Sequence, residues 1–388
     1  MREMHTTLYW TLPGPCEFVG RVTDASRNAR AIVLSLTDYP PNGVWDAVRR
    51  GLTNANVFEP LELSISEGMN VAAEIGSHFG QSTMPGNLLA HYLHGYQHAV
   101  ILKPIGKSAA ERCQKYAAEF LQDIEHAEGD IRLIISLHDG LYQQDQSDGR
   151  IHVIAFDGGL DEAEMDAYVT QRLVTSHGPG STRLVKQLIT EFAGFDVYLA
   201  ELLIRMGDAD ILSLPDPLTG ILGHEGLRWT SDSWVNGTIS SQSGSAHPLR
   251  EWYLASHPSE NKDAALRAIR RRYWRACVRT LLPWLEERRP QIIEVLDLPI
   301  TGLEKSSGGP GKIEKMLGKN IVTVGREDLE YNDLWYNFKN TQHLSSKEQL
   351  AVSVCRKTKQ VRDDLSHLRK PITADVMALI SEMDALFP

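Results

Sequence analysis

The sequence predicts an α/β domain over residues 1–226 and an all-α four-helix bundle over residues 261–388, joined by a polar linker over residues 227–260. The first part alternates short apolar runs with helical patterns, which is typical of α/β layer folds. Residues 227–260 are rich in polar and small side chains, as interdomain linkers are. From residue 261 onward, amphipathic helical patterns follow one another with mostly short connections, which favours an antiparallel bundle.

Four near-continuous apolar runs are the strand candidates of the first domain. Such runs are expected where both faces of a parallel sheet are buried. Helical patterns over residues 108–126 and 160–173 follow two of these runs. The predicted strands are residues 31–36, 98–102, 131–137 and 151–156.

A domain with this order of elements invites a search for a nucleotide site. No GxxxxGK[ST] loop, whose N–H groups and lysine would meet phosphates, follows any predicted strand. Pro40 and Pro41, which lack N–H donors, follow the first strand instead. The stretch Ile154-Ala155-Phe156-Asp157 has the pattern of an apolar strand whose aspartate could position Mg²⁺. The domain resembles a degenerate regulatory ATPase domain. We therefore expect either such a degenerate domain or an unrelated α/β scaffold. In both cases the domain would bind partners and use no cofactor.

Four helical segments are predicted after residue 261. The apolar stripe of the first is interrupted at Pro283 and Pro290, which predicts one long kinked helix or two shorter ones. The second is short and begins near Tyr331. The last has Thr373 as its predicted cap.

The third segment has the clearest signals at both ends. Ser345 and Glu348 form a capping-box pattern at its start, and Pro371 prevents its continuation. Apolar or small side chains recur every three or four residues, which places them on one core-facing stripe. The stripe consists of Leu350, Val354, Thr358, Val361, Leu365 and Leu368.

Charge and cysteine usage restrict the class of protein. The net charge is −10 at pH 7, but residues 261–388 contain 22 Lys and Arg against 17 Asp and Glu, a balance of +5. A phosphate-bearing partner and an ordinary solvated surface are both compatible with that balance. The sequence has no long apolar run and no secretory pattern at its start, and its four cysteines are far apart. We therefore expect a cytoplasmic protein with reduced thiols, without a membrane span or a metal site.

Arg362 and His367 lie at the end of the third helical segment. An arginine can bind a phosphate with two N–H groups, and a histidine can transfer a proton near neutral pH. Together they suit metal-free cleavage of a phosphodiester whose ribose 2′-OH is activated. Five residues turn about 140° around a helix, so the two side chains do not share a face, whereas Asp363 and His367 do. The Arg362 and His367 side chains could meet at one site only if the helix loosened near Pro371, or if a second copy of the chain supplied one of them.

The stretch VRDDLSHLRKP resembles the signature of the HEPN (higher eukaryote and prokaryote nucleotide-binding) family. The resemblance covers about residues 261–388 and implies a four-helix bundle. It further implies a metal-independent endoribonuclease of a prokaryotic antiviral defence or toxin system, which acts on RNA as a homodimer. By this resemblance Arg362 binds the scissile phosphate, His367 transfers the proton, and Asp363 holds the imidazole or the arginine. Asp363 departs from the family pattern, in which asparagine is frequent.

A second interpretation assigns no catalysis to the helical domain. An Arg/His pair at a helix end can be a polar cap near the C-terminal dipole. The bundle would then mediate dimerisation as an adaptor subunit of a defence complex. The orientation of the two His367 copies in a dimer distinguishes these interpretations, because only catalysis requires both to face one groove.

Overall fold

The computed structural model describes residues 7–36, 42–54, 59–93, 98–122, 124, 126–138, 151–156, 158–173, 179–222, 247–317 and 320–387. The chain divides into two compact units, Met1–Leu160 and Asp161–Pro388. The N-terminal unit is an α/β domain built on a parallel sheet, and the C-terminal unit is mostly helical. This confirms the predicted fold class at that level.

The described residues of the N-terminal unit form a sheet whose strands are all parallel, in the order β2-β3-β4-β1-β5. The elements in chain order are α1 (Pro13–Asn28), β1 (Ala31–Leu36), α2 (Val44–Asn54), β2 (Glu59–Ile65), α3 (Val71–His78), α4 (Gly86–His91), β3 (His98–Pro104), α5 (Lys107–Gln122), β4 (Ile131–His138) and β5 (Ile151–Phe156).

Both faces of strand β1, which lies between β4 and β5, are covered. Its successive residues Ile32, Val33 and Leu34 are each at most 2% exposed, as the continuous apolar run predicted. On one face Val33 belongs to a core cluster that includes Phe120 of α5. Helix α1 packs on β1 and β5, and its Phe18 stacks on Phe156 with ring centroids 4.4 Å apart.

The sequence analysis missed strand β2. This strand lies at the edge of the sheet and pairs with β3 only among the described strands. Its sequence, EPLELSI, alternates polar and apolar residues instead of forming a continuous apolar run. Glu62 within it accepts a hydrogen bond from Lys103 of β3 at 2.7 Å. An edge strand tolerates such polar positions, so its sequence lacks the continuous apolar run that predicts a doubly buried strand.

The described residues of the C-terminal unit form helices and a two-stranded antiparallel hairpin. The hairpin departs from the all-α prediction. The elements are α6 (Glu162–Arg172), α7 (Pro179–Ala193), α8 (Val197–Ile204), α9 (Asp208–Leu212), α10 (Leu218–Leu222), α11 (Pro248–Ser256), α12 (Lys262–Val295), α13 (Asp297–Ser306), β6 (Ile313–Leu317), β7 (Asn320–Val324), α14 (Tyr331–Phe338), α15 (Ser346–Ser366) and α16 (Thr373–Leu386).

The division between the units lies earlier than the boundary predicted from sequence. Helices α6 to α10, which the sequence analysis gave to the α/β domain, belong to the helical unit. The reason is their contact with α12: Tyr273 donates its hydroxyl to the carbonyl of Leu212 at 3.0 Å, and Arg275 donates to Glu191. Within the predicted linker, residues 227–246 lie outside the described residues. The rest of it includes α11, whose Leu249 is fully buried.

Helix α12 is the long central element of the helical unit. It continues through both Pro283 and Pro290, so the first of the two alternatives, one long helix, is observed. Helices α7, α11 and α15 pack against it. Helix α16 begins at Thr373, which is therefore its first helical residue and not its cap as predicted, because Ile372 occupies the N-cap position.

Candidate functional site at the end of helix α15

The start of α15 is fixed by the predicted capping box. Ser345 Oγ accepts from the backbone N–H of Glu348 at 3.3 Å, and the Glu348 carboxylate accepts from the Ser345 N–H at 2.7 Å. These two bonds satisfy N–H groups that have no partner inside the helix. The core-facing stripe is also observed, since Val354, Thr358 and Val361 are fully buried.

The end of α15 forms a left-handed turn at Leu368. The N–H of Arg369 donates to the Asp364 carbonyl at 2.8 Å, and the N–H of Leu368 donates to Leu365 at 3.2 Å. This is the Schellman arrangement, in which the residue after the cap has a positive φ. Leu368 has φ of 54° and its side chain is 72% exposed. The prediction that Leu368 continues the core stripe is therefore wrong, because the helix ends before that residue.

Arg362 is held by carboxylates from two other helices. Its Nη1 donates to Glu330 Oε2, at the start of α14, over 2.7 Å, and lies 3.4 Å from Glu286 Oε1 of α12. Between one third and one half of each of the three side chains is exposed. Exposed ion pairs of this kind contribute about 0–1 kcal/mol to stability. A phosphate could therefore replace the carboxylates at small cost.

Among the described residues, no hydrogen bond or ion pair joins the Asp363 carboxylate to the His367 imidazole or to the Arg362 guanidinium. Its carboxylate forms an ion pair with Lys359 Nζ at 2.6 Å, one turn earlier on the same helix. Its backbone carbonyl accepts the N–H of His367 at 3.1 Å, as part of the helix end. The role that the family resemblance gives to Asp363 thus stays a prediction.

His367 is the C-cap residue of α15, and it is exposed. In the described part of the chain, no hydrogen bond or ion pair joins its imidazole to Arg362. The turn of about 140° between two residues five apart on a helix accounts for this separation. A single chain therefore presents the His367 imidazole and the Arg362 guanidinium on different faces of the helix.

Exposed apolar side chains lie close to His367 along the chain. Leu368 and Ile372 are 72% and 60% exposed, and Met377 of α16 is 40% exposed. Exposed apolar side chains of this size, when grouped, are typical of protein contact surfaces. A second copy of the chain placed here would cover them and would come close to His367.

The sequence analysis did not identify the cationic surface beside this helix end. Trp274 of α12 donates its Nε1–H to the Leu365 carbonyl at 2.8 Å, which brings α12 against the last turn of α15. Lys370 lies with its Nζ 4.4 Å from the centroid of the Tyr273 ring and donates to the Leu214 carbonyl at 2.9 Å. Burial lowers the pKa of Lys370, nearby Asp216 raises it, and Arg270 lowers it.

Three arginines of α12 extend this surface. Arg267, Arg270 and Arg271 are exposed and precede Trp274 by seven, four and three residues, so all four lie on one face of the helix. The signal available in the sequence was the run Arg270-Arg271-Arg272. It is incomplete evidence, because Arg272 is buried and donates to Glu251 at 2.5 Å.

The N-terminal unit has a cleft at the carboxyl ends of β2 and β3. Its volume is about 410 Å³, and its lining includes Glu67, Lys107, Ser108 and Glu111. Two carboxylates beside one lysine do not favour a phosphate group. Pro40, Pro41 and Asp157, which bear on nucleotide binding in the sequence, lie outside the described residues.

Metal ligands and membrane spans were also predicted to be absent. Within the described ranges, no group of three or more His, Cys, Asp or Glu side chains is arranged to hold a metal ion. In the same part of the chain, no helix combines the length and the apolar composition that a bilayer crossing requires.

Comparison with known protein families and with curated proteins gives no match. Among solved structures the chain is similar to Saccharomyces cerevisiae RIF2, at 11% identity and a TM-score of 0.33, over 54% of this chain and 90% of that one. A chain of Drosophila ORC bound to poly(dA/dT) DNA and Cdc6 aligns at 10% identity and a TM-score of 0.35, over 99% of this chain and 71% of that one. A chain of Drosophila ORC bound to GC-rich DNA and Cdc6 aligns at 11% identity and a TM-score of 0.32, over 95% of this chain and 69% of that one. Similarity at this level is too low to assign a fold family or a function.

Proposed function

We propose that the chain is a metal-independent endoribonuclease of a prokaryotic antiviral defence or toxin system, which acts in the cytoplasm as a homodimer with a HEPN-like helical domain. The observation that supports this best is the environment of His367. Its imidazole is exposed at the end of α15, next to exposed apolar side chains and to the cations Arg369 and Lys370.

In the proposed reaction, His367 takes the proton of a ribose 2′-OH, whose oxygen attacks the adjacent phosphorus. The bond from phosphorus to the 5′-oxygen breaks, and a protonated histidine returns a proton to that oxygen. The products are a 2′,3′-cyclic phosphate and a 5′-hydroxyl. Arg362 binds the non-bridging oxygens of the phosphate and stabilises the charge that they gain.

In the dimer, the Arg362 and His367 side chains that lie on different faces of one chain can meet at one site. In the proposed site, Arg362 of one copy works with His367 of the other, across the surface that Leu368 and Ile372 expose. Arg362 must exchange Glu286 and Glu330 for phosphate, and the small stability of exposed ion pairs permits this exchange.

The experiment that tests this function is RNA cleavage by the purified protein in EDTA. We expect cleavage by the wild type and its loss in Arg362→Ala and in His367→Ala. Arg356→Ala and His78→Ala are matched controls, because both residues are exposed basic side chains outside the proposed site. If the controls lose cleavage as strongly as the site variants do, or if EDTA abolishes it, the proposal is wrong.

A second candidate is the non-catalytic dimerisation subunit of a defence complex. The engagement of Arg362 by two carboxylates favours it, since an arginine so held contributes to the packing of α12, α14 and α15. In this case the wild type forms a dimer and leaves RNA intact. Absence of cleavage, together with a dimer by sedimentation, would favour this candidate.

A further inference from the structure

One face of α12 carries a row of cations that no described contact explains. Arg267, Arg270 and Arg271 are exposed, and in the described part of the chain none of them forms an ion pair or a side-chain hydrogen bond. Most other arginines of this helix differ in this respect. Arg272, Arg275 and Arg279 pair with glutamates from α6, α7 or α11.

The row continues the surface on which α15 ends. Trp274 lies four residues after Arg270, which is about 6 Å along the helix axis, and its indole contacts the last turn of α15. The arginines therefore lie on the same face of α12, just before the point where α15 meets it. Arg369 and Lys370 follow α15 directly and add two further cations at this end.

The acidic groups near this surface are fewer than the cations. Asp216 acts on Lys370, Asp263 lies one turn before Arg267 on α12, and Asp364 lies in the last turn of α15. Five cations from α12 and the segment after α15 stand against these three carboxylates. A local excess of this kind raises the concentration of polyanions at the surface.

The arrangement fits the backbone of a single nucleic-acid strand. The arginines project from about one turn of one helix face, so they can contact neighbouring phosphates of one strand. Trp274, a partly exposed aromatic side chain, follows them on the same face. Cations in a row next to an aromatic side chain are typical of surfaces that bind single strands without sequence preference.

We propose that Arg267, Arg270 and Arg271 form a docking surface for the phosphate backbone of single-stranded RNA, leading the strand to the end of α15. This inference rests on the proposed function for its choice of RNA. The residues themselves lie outside the reacting centre, so docking and cleavage can be measured separately.

The test is the affinity of the full chain for a fluorescent single-stranded RNA of mixed sequence, measured by anisotropy across salt concentrations. His367→Ala serves as the background in which RNA is not consumed. The triple variant R267Q/R270Q/R271Q removes three charges. Because each lost phosphate contact changes the slope of log K against log salt by about 0.7, we expect the slope to fall by about 2 and the affinity to fall roughly 100-fold at 0.1 M salt.

Two further variants make the test specific. K305Q/K312Q/K347Q removes three exposed charges from other elements of the same unit and should bind within about twofold of the parent. R267K/R270K/R271K keeps the charges and should retain most of the affinity, because backbone contact depends chiefly on charge. Circular dichroism establishes that each variant is folded.

Equal losses for DNA of the same sequence support backbone recognition. Unchanged affinity and slope in the glutamine triple would overturn the inference, as would an equal loss in the lysine control. If RNA binds through the arginines but is never cleaved, the docking surface stands and the proposed nuclease fails. If RNA is cleaved and the triple variant binds like its parent, the nuclease stands and the docking surface fails.

Discussion

Arg362 on α15 donates to Glu330 at the start of α14 over 2.7 Å. Glu286 of α12 lies at 3.4 Å from the same nitrogen. The side chain that the motif assigns to phosphate therefore has anionic partners already. Any catalytic use of Arg362 begins with the displacement of these carboxylates, and this exchange is open to experiment.

Neutralising Glu286 should help the nuclease. In Glu286→Gln, Arg362 loses one competing carboxylate, and we expect KM for RNA to fall about two- to fivefold, since an exposed pair contributes up to about 1 kcal/mol. Initial rates over an RNA concentration series measure this. Glu287→Gln is the matched control, because its carboxylate pairs with Arg183 and not with Arg362. A KM that rises or stays constant in Glu286→Gln would contradict the exchange.

Mixing two inactive variants should restore cleavage if the site lies between two copies. A heterodimer of Arg362→Ala and His367→Ala keeps one site with both groups intact. After free exchange of subunits, half of the dimers are mixed. Each mixed dimer has one intact site and one inactive site, so about a quarter of the wild-type activity is expected. Activity that stays at the level of the separate variants would place both groups in one chain or exclude catalysis.

The apolar pattern was sufficient to predict the elements whose burial is uniform. Strand β1 and helix α15 have continuous or strictly periodic apolar positions, and both are found where predicted. Edge strand β2 and the hairpin of β6 and β7 were missed, because neither buries both faces of a sheet. The division between the units was placed late because helices α6 to α10 follow the sheet in sequence but pack on α12, a long-range contact that no local pattern encodes.

The site could be predicted only as a list of residues along one helix. The capping box and the stripe of α15 are local, so the positions of Arg362 and His367 followed from the sequence. The partners of Arg362 come from residues 32 and 76 positions away, and the surface of Arg267, Arg270 and Arg271 becomes apparent only once Arg272 is known to be buried. Tertiary packing decides which cations are neutralised by carboxylates, and the apolar periodicity of the sequence carries no information about these long-range pairs.

Leu368→Gly should give a more stable helical unit than Leu368→Ala does. The left-handed conformation at φ of 54° costs a residue with a Cβ atom about 1 kcal/mol relative to glycine, and the exposed side chain contributes little packing. Leu368→Ala is the matched control, since it removes the same outer atoms and keeps the Cβ. We expect the glycine variant to melt about 2–4 °C above the alanine variant. Equal melting temperatures of the two variants would show that the left-handed conformation at this position does not strain a residue with a Cβ atom.

The same pair of variants reports on the dimer. If Leu368 lies in the dimer contact, both variants lose that contact. Sedimentation should then give both of them a similar dimer dissociation constant, higher than that of the wild type, whatever their melting temperatures. A dimer that both variants leave unchanged would place the contact elsewhere.

The cysteines should react in two classes. Burial raises the pKa of Cys113 to about 11 and the pKa values of Cys277 and Cys355 to about 12, and all three are fully buried, whereas Cys16 is exposed. Since the thiolate is the reactive form, a disulfide reagent at pH 8 should label Cys16 quickly and the other three only after unfolding. Cys16→Ser should abolish the fast phase. Because the folded pKa values are raised, stability from these thiols is complete below about pH 9 and is lost as pH rises further.

The buried carboxylate of Glu191 should be essential to the helical unit. It is 6% exposed, and it accepts from Arg275 at 2.7 and 2.9 Å and from Arg279 at 2.9 Å, which joins α7 to α12. In Glu191→Gln one charge of the network is lost while the guanidinium groups stay in place, so we expect a loss of about 3 kcal/mol in the free energy of unfolding. Urea denaturation followed by circular dichroism measures this loss.

Glu287→Gln is the control for burial. Glu287 also pairs with an arginine, Arg183, at 3.0 Å, but both side chains are more than half exposed, and exposed pairs contribute about 0–1 kcal/mol. The two variants make the same chemical change in carboxylates that differ in their access to water. A loss in Glu191→Gln no larger than that in Glu287→Gln would mean that water or the rest of the network compensates for the charge, and α7 would then be held to α12 by its apolar contacts alone.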